Sequence, residues 1–523
     1  MSVAYAKATV PDEMFTAARV QMEAMVSALK SDKMLSAQHS DVESLVQTQG
    51  RELERLLYQA HLDLRAACER PVPVCGEDGV ERTYRRHSGR PLGTVLGRVM
   101  VARLAYQAPD VDGLHPMDGA LNLPPELYSH GVCRFVASHA SMMPFDDVVG
   151  ELLLATGVAV GKRQVEEMSV RAAVDFEAFY TQRRAANDVL EETKDLLVLT
   201  FDGKGIVMVP RDLRPATQKA ARKKVRKLAT RLTSGEKRNR KRMAEVAAIY
   251  TVAPFVRTPF DILADLHGEP NEQARRERRA RRPTVCNKRV WASVEHDPEV
   301  VIEEAFREAD TRDPDHERVW VVLLDGNKDQ IAFAKAAAKK LGVDVTIIVD
   351  LMHVLEYLWC AAHAFHPDNA ELAEQWVQQR ELWLLQGRHA GKVATAMRQA
   401  ARSASLDETK LAAVYDAADY LQDYAPMLRY GDAIATGLPI ATGVIEGACR
   451  YLVKDRMDRG GARWTLEGAE AVLRLRALRA SGDFEDYWAF HLSEELRRNH
   501  AERYADARLP DPMRPLRRLR RVK

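Results

Sequence analysis

The sequence predicts a mixed α/β core in an otherwise helical chain, with a helical insertion inside the core and a mainly helical N-terminal region. Three observations carry this expectation. The apolar runs Leu196-Leu197-Val198-Leu199-Thr200-Phe201 and Val319-Trp320-Val321-Val322-Leu323-Leu324 each end in Asp-Gly, at Asp202-Gly203 and Asp325-Gly326. Runs that are apolar on both faces fit strands buried within a sheet. Between residues 193 and 358 the patterns follow the order three strands, helix, strand, helix, strand, giving a five-stranded sheet. From Glu356 to Leu438 the pattern is almost wholly helical, and a third acid, Glu446, follows in Thr442-Gly443-Val444-Ile445-Glu446-Gly447.

The 523 residues leave room for several domains at roughly 150 residues each. With 46% hydrophobic and 29% charged residues the composition is that of a globular protein. No apolar run approaches the roughly 20 residues of a membrane helix. The start, Met1-Ser2-Val3-Ala4-Tyr5-Ala6-Lys7, has no signal-peptide core, so a cytoplasmic location and no membrane partner are expected. Cys68, Cys75, Cys133, Cys286, Cys360 and Cys449 lack CxxC spacing and read as reduced, buried thiols, not as a zinc site or disulfide framework.

The net charge of +2 conceals local asymmetry: between Arg211 and Arg242, 14 lysines and arginines face only Asp212 and Glu236. A second basic cluster is Arg275, Arg276, Arg278, Arg279, Arg281 and Arg282, and a third is Arg514, Arg517, Arg518, Arg520, Arg521 and Lys523. One such block alone reads as a solvated charge run; three together suit a polyanion.

Residues 1–80 form the N-terminal helical region. Leu53, Leu56, Leu57, Ala60 and Leu64 keep helical spacing, and Pro71 and Pro73 end it. Residues 81–192 hold a strand pair around Gly89 and Gly93, then a helix-turn-helix pattern from Phe145 to Tyr180. There Phe145, Val148, Val149, Leu152 and Leu153 make an apolar stripe, Gly157 to Gly161 supply the turn, and Lys162-Arg163-Gln164-Val165 open a second helix. An ordinary helical hairpin fits the same pattern; as a DNA reader it would present Lys162 and Arg163. A phosphate loop at Gly157–Lys162 is excluded, since a spacer is missing and Arg163 replaces Ser/Thr.

The core occupies 193–358 with a basic insertion at 211–243, the helical insertion 359–436, and the core completion, carrying the Glu446 helix, 437–495; 496–523 is a basic tail. Strands are expected at Leu196–Val209, Val246–Val252, Val290–Val294, across the Asp325 run and at Val345–Asp350. Helices are expected after Asp297, with Val301, Ile302, Ala305, Phe306 and Ala309 on one face, and from Lys328 to Lys340.

Acids at buried strands have a fixed backbone and dry surroundings, the condition for holding carboxylates together around shared cations. The pattern points to a metal-dependent nucleic-acid enzyme. Magnesium favours such oxygen donors over His or Cys.

The strand order resembles the ribonuclease-H-like core, and Asp202, Asp325 and Glu446 resemble the acid triad of DDE transposases built on it. The resemblance is closer to bacterial insertion-sequence transposases of the Kra group (ISKra), related to mutator-type transposases. It rests on Gly443-Val444-Ile445-Glu446-Gly447-Ala448-Cys449-Arg450-Tyr451-Leu452-Val453-Lys454-Asp455-Arg456-Met457 and on Gly461-Ala462-Arg463-Trp464-Thr465-Leu466-Glu467-Gly468-Ala469-Glu470-Ala471-Val472-Leu473. Leu355-Glu356-Tyr357-Leu358-Trp359 and Pro439-Ile440-Ala441-Thr442-Gly443 extend it, and it spans about residues 80–495.

The resemblance implies catalytic, metal-binding roles for Asp202, Asp325 and Glu446 with two Mg2+ ions, Mn2+ being a substitute. Asp350-Leu351-Met352-His353 resembles the D-x-x-H element of mutator-like enzymes, making Asp350 an alternative second acid and His353 a possible accessory group. Water would free a 3′-hydroxyl at the element end, and that hydroxyl would join target DNA by transesterification, without ATP. The implied partners are double-stranded DNA, both terminal inverted repeats and target, and further copies of the chain in a dimer or larger assembly at the nucleoid. Arg450, Lys454, Arg456, Arg459 and Arg463 would hold phosphates, with Arg450, Lys454 and Met457 sharing a helix face. Trp464 reads as a core residue or as a stacking platform for an unpaired base. A nuclease without strand transfer and a non-catalytic DNA-binding descendant are the competing readings; absence of GxGxxG after any strand disfavours a nucleotide-binding oxidoreductase.

Overall fold

In the computed structural model the described residues are 11–223, 240–268 and 271–513. Half of the first basic block, residues 224–239, and the tail cluster from Arg514 to Lys523 lie outside them. The chain divides into two compact units, one formed by Met1–Phe179 with Phe484–Lys523 and the other by Tyr180–Asp483.

In the first unit, a 30-residue helix, His39–Cys68, packs on an antiparallel sheet of β1 (Tyr84–Thr94), β2 (Gly97–Ala108) and β3 (Val111–Leu114). Leu62 of that helix shares a core with Leu92, Val99, Val101 and Leu123. The hairpin turns between Thr94 and Gly97, not at Gly89 or Gly93, which lie inside β1. Gly93 answers a close approach instead: its N–H donates to the Leu127 carbonyl at 2.7 Å, and a Cβ there would meet Tyr128 at 3.1 Å. Helices His130–Ala140, Phe145–Thr156 and Lys162–Ala172 follow. Gly157, at φ 70°, ends the second of these in the left-handed conformation that glycine tolerates. The chain re-enters this unit at Phe484, so helix Phe484–Asn499 joins it and does not complete the core. Arg498 and His491 of that helix bind Asp175, at 2.6–2.7 Å and 2.6 Å, and Tyr487 donates to the Ala172 carbonyl at 2.7 Å.

The second unit is built on a mixed five-stranded sheet of β4 (Leu196–Val207), β5 (Lys241–Val252), β6 (Cys286–Ser293), β7 (Trp320–Leu324) and β8 (Val345–Val349). The order across the sheet is β6-β5-β4-β7-β8. The pairs β4/β5 and β5/β6 are antiparallel, while β4/β7 and β7/β8 are parallel. Leu196 to Phe201 and all of β7 are buried, as expected for runs apolar on both faces. Helix Pro298–Arg312 connects β6 to β7, and Lys328–Leu341 connects β7 to β8. The stripe Val301, Ile302, Ala305, Phe306 and Ala309 is buried. Among the described residues, helices Pro215–Arg222, Pro259–His267 and Glu272–Ala280 escaped the sequence reading; the last carries part of the second arginine cluster.

Helices Leu351–Phe365, Ala370–Leu385, Ala390–Ser403, Glu408–Asp423 and Tyr430–Ala435 follow β8 and form the helical insertion. The chain then returns to the sheet. Helix Leu466–Ser481 packs on β6, where Glu470 accepts hydrogen bonds from the Val294 and Glu295 amides at 2.9 and 3.1 Å. Of the cysteines, all unpaired, Cys133 and Cys449 are buried as expected, but Cys286 and Cys360 are exposed. No helix of the described residues is long and apolar enough to cross a membrane.

Candidate active site

Asp202 lies on the central strand β4, and Asp325 directly follows its parallel neighbour β7. Register sets their relation. Leu197 pairs with Trp320, Val198 with Val321, Leu199 with Val322 and Thr200 with Leu323. The pairing ends at Thr200–Leu323 and β7 at Leu324, so Asp202 and Asp325 each lie two residues past the last paired position, at the same end of neighbouring parallel strands.

Their electrostatics agree with that placement. Burial pushes the Asp202 carboxyl up, the Cys449 thiol pulls it back by donating to Oδ2 at 3.1 Å, and the negative charge of Asp325 pushes it up again. Asp325 is held from two sides. Its Oδ1 accepts the Asn327 amide at 3.0 Å, and its main-chain carbonyl accepts the Tyr420 hydroxyl at 2.9 Å. A cleft of about 570 Å³ opens here, lined by Asp325, Lys328, His353, Tyr357 and Tyr420. His353 sits edge-on to both tyrosines and 3.3 Å from Glu356.

Glu245, missed by the sequence reading, is a further acid beside this pair. It lies on β5 opposite Gly203, is only 5% exposed, and accepts from Gln330 Nε2 at 2.6 Å. Burial, with the charges of Asp202 and Asp325 behind it, pushes its carboxyl up to about 8 against the pull of Gln330. The signal was present in Ala244-Glu245-Val246-Ala247-Ala248, an acid heading an apolar run as a mirror of the two aspartates ending theirs.

Glu446 is exposed, in the first turn of helix Gly443–Ala448, which packs against β4 and β5. Cys449, one turn further on, reaches Asp202. Glu446 precedes Cys449 by one turn, with its side chain exposed where the thiol is buried. Among the described residues no three His, Cys, Asp or Glu side chains already converge on one point. The structure thus brings Asp202, Asp325 and Glu245 within electrostatic reach, and Glu446 stands on the adjoining helix outside that group. An oxygen-only donor set with mutual repulsion fits a hard divalent cation, whose charge would relieve the repulsion.

Asp350 is fully engaged elsewhere. It caps helix Leu351–Phe365 by accepting the Met352 amide at 3.0 Å, and its other oxygen accepts the Thr442 hydroxyl. Its own amide donates to the Leu324 carbonyl at 2.8 Å. Asp350 therefore braces the end of β7 against the residue preceding the Glu446 helix. Burial pushes its carboxyl up, and the Thr442 and Met352 bonds oppose that.

The expected DNA-contacting residues divide. Arg450, Lys454, Arg459 and Arg463 are exposed. Arg456 and Trp464 are not: they are 2% and 5% exposed, with the guanidinium 4.8 Å from the indole centroid. The Trp464 indole donates to the Met457 carbonyl at 3.0 Å, and its main chain bridges to Met208, just beyond the end of β4. Trp464 is a core residue here, and Arg456 is its packing partner. The expected common face of Arg450, Lys454 and Met457 also fails, because Cys449–Lys454 is a π-helical turn and Met457 is buried. Arg450 Nε instead lies 3.9 Å from Asp455, five residues on. In the other unit Lys162 and Arg163 are exposed, but Lys162 is paired with Asp146 and Arg163 with Glu167 at 2.8 Å.

No protein-family model matches the chain, and no curated protein matches it.

Proposed function

We propose that this chain is a DDE transposase with a ribonuclease-H-like core, cutting the ends of an insertion-sequence element and joining them to target DNA. The observation that carries the reading is the placement of Asp202 and Asp325 at the same end of the central strand and its parallel neighbour, each two residues past the last paired position, with the charge of Asp325 acting on Asp202. The mixed five-stranded sheet, antiparallel on one side of β4 and parallel on the other, supports that fold reading. The docking of the Glu446 helix on β4 and β5 supports the third position of the triad.

Asp202, Asp325 and Glu446 would hold two Mg2+ ions. When bound, such a pair supplies charge neutralisation at the phosphodiester and activation of the attacking oxygen. The chain's own contribution is orientation. Asn327 fixes the Asp325 carboxylate and Cys449 that of Asp202. Exposed Arg450, Lys454, Arg459 and Arg463 follow the Glu446 helix along the chain and offer cations suited to DNA phosphates. Partners in this reading are element ends, target DNA and further copies of the chain.

The test incubates the full-length protein and Mg2+ with labelled element ends and a target duplex. Strand joining is expected, and Asp202→Asn, Asp325→Asn and Glu446→Gln should each abolish it while end binding persists. Full joining by all three variants refutes the assignment. Cleavage without joining would point to a nuclease on the same sheet.

A further inference from the structure

We infer that Cys449 is a positioning residue of the acid site, whose thiol orients the Asp202 carboxylate and seats the Glu446 helix against β4. The inference rests on the proposed reading for the role of the acids. The contact is direct, Cys449 Sγ lying 3.1 Å from Asp202 Oδ2. A thiol is a weak donor, but a carboxylate acceptor strengthens the bond.

Burial makes that bond hard to replace. Cys449 is 3% exposed, with Ala448, Leu452 and Val453 buried around it. Without the thiol, the half-buried Asp202 carboxylate would lose the donor to its Oδ2.

The backbone adds an independent observation. Helix Gly443–Ala448 is α-helical, and the widened π-turn Cys449–Lys454 begins at Cys449 itself. Such turns are rare and concentrate at functional sites. Here the turn starts where the helix touches the central strand, one turn after Glu446. A single side chain thereby ties two acids that are far apart in the sequence, one by hydrogen bond and the other by helix geometry.

A packing role makes a different prediction. A buried cysteine that merely fills space behaves as a small apolar residue. Alanine would then cost stability and leave the affinity for cations alone, and serine would be the worse replacement. A positioning role reverses the ranking, because the serine hydroxyl still donates to Asp202.

The experiment measures Mn2+ binding to the full-length protein by electron paramagnetic resonance of the free ion, alongside thermal melting and Mg2+-dependent cleavage of labelled ends. Cys449→Ala should weaken Mn2+ binding about 10-fold, in the range known for outer ligand partners, while Cys449→Ser stays within about twofold of the unmodified protein. Asp202→Asn marks the site. If it loses Mn2+ binding while Cys449→Ala binds like the unmodified protein, or if serine loses as much as alanine, the positioning role is overturned and the acid site stands. If Asp202→Asn itself binds Mn2+ normally, the acid site fails and the inference falls with it.

Discussion

The Tyr420 hydroxyl donates to the main-chain carbonyl of Asp325 at 2.9 Å, across 95 positions of sequence. Tyr424, one helical turn on, donates to the Gly326 carbonyl. Gly326 has φ +94°, and a Cβ there would stand 2.4 Å from the Tyr420 oxygen, so backbone conformation and space both call for glycine. The helical insertion thus reaches back to clamp the turn that presents Asp325.

Tyr420→Phe should separate the clamp from its packing. The ring stacked on Tyr357, with centroids 4.0 Å apart, stays, and only the donor leaves. A loss of about 1 kcal/mol in urea unfolding is expected. Strand joining should fall several-fold at unchanged end binding, and further in the double variant with Tyr424→Phe. A stability loss with unaltered joining would restrict the clamp to the fold.

Asp350→Asn tests the alternative second acid. Asparagine keeps an acceptor for the Met352 amide, so the cap survives, while its amide nitrogen must donate to Thr442 in place of accepting from it, for a total cost of about 1 kcal/mol. Joining should persist at a reduced rate, in contrast to its abolition by Asp325→Asn. Abolition by Asp350→Asn in a protein that melts normally would move the metal-ligand role to Asp350.

The sheet was legible because its strands are apolar on both faces, and a run such as Leu196–Phe201 has no other stable place. The order of elements from β4 to β8 followed from the same pattern. The site was legible only where an acid terminates such a run. Glu245 sits near the head of its strand, a weaker mark than an acid ending one, and its approach to Asp202 is made across the β4/β5 pairing. Tyr420 and Cys449 act through contacts across the fold, which spacing does not encode. Arg456 misled because a cation near an acid suits DNA and a buried cation–π pair equally well, and Trp464 stood between a core and a stacking reading until its burial decided for the core. The π-turn broke the helical spacing on which their neighbours' common face depended.

Glu245 should make the metal-free protein less stable in alkali. Its folded carboxyl is raised to about 8 from an unfolded value near 4.5. Between these values the folded state holds the extra proton, so stability falls as pH rises through that window. The contribution is intact below the unfolded value and lost by the time pH passes the folded one. Glu245→Gln keeps a polar partner for Gln330 and removes the titration. In EDTA, the melting temperatures of the two proteins should diverge from about pH 5 to about pH 9, the variant becoming relatively more stable. Parallel melting curves across that range would exclude a proton held on Glu245.

Arg450 and Lys454 differ from Trp464 in a way that salt titration resolves. Both cations are exposed beside the Glu446 helix, so a phosphate bound by either adds counterion release to binding. Replacing each with alanine should weaken end binding and flatten the plot of log Kd against log salt by about 0.9 for every duplex phosphate no longer neutralised. Trp464→Ala should instead cost about 3–5 kcal/mol of stability through the emptied core site, with the salt slope of the folded fraction unchanged. The measurement is binding of labelled ends from low to moderate salt, with a parallel urea melt for each variant. A lowered slope for the tryptophan variant, or an unchanged one for the Arg450 and Lys454 variants, would mean that DNA approaches the acids along a face other than the one these cations line.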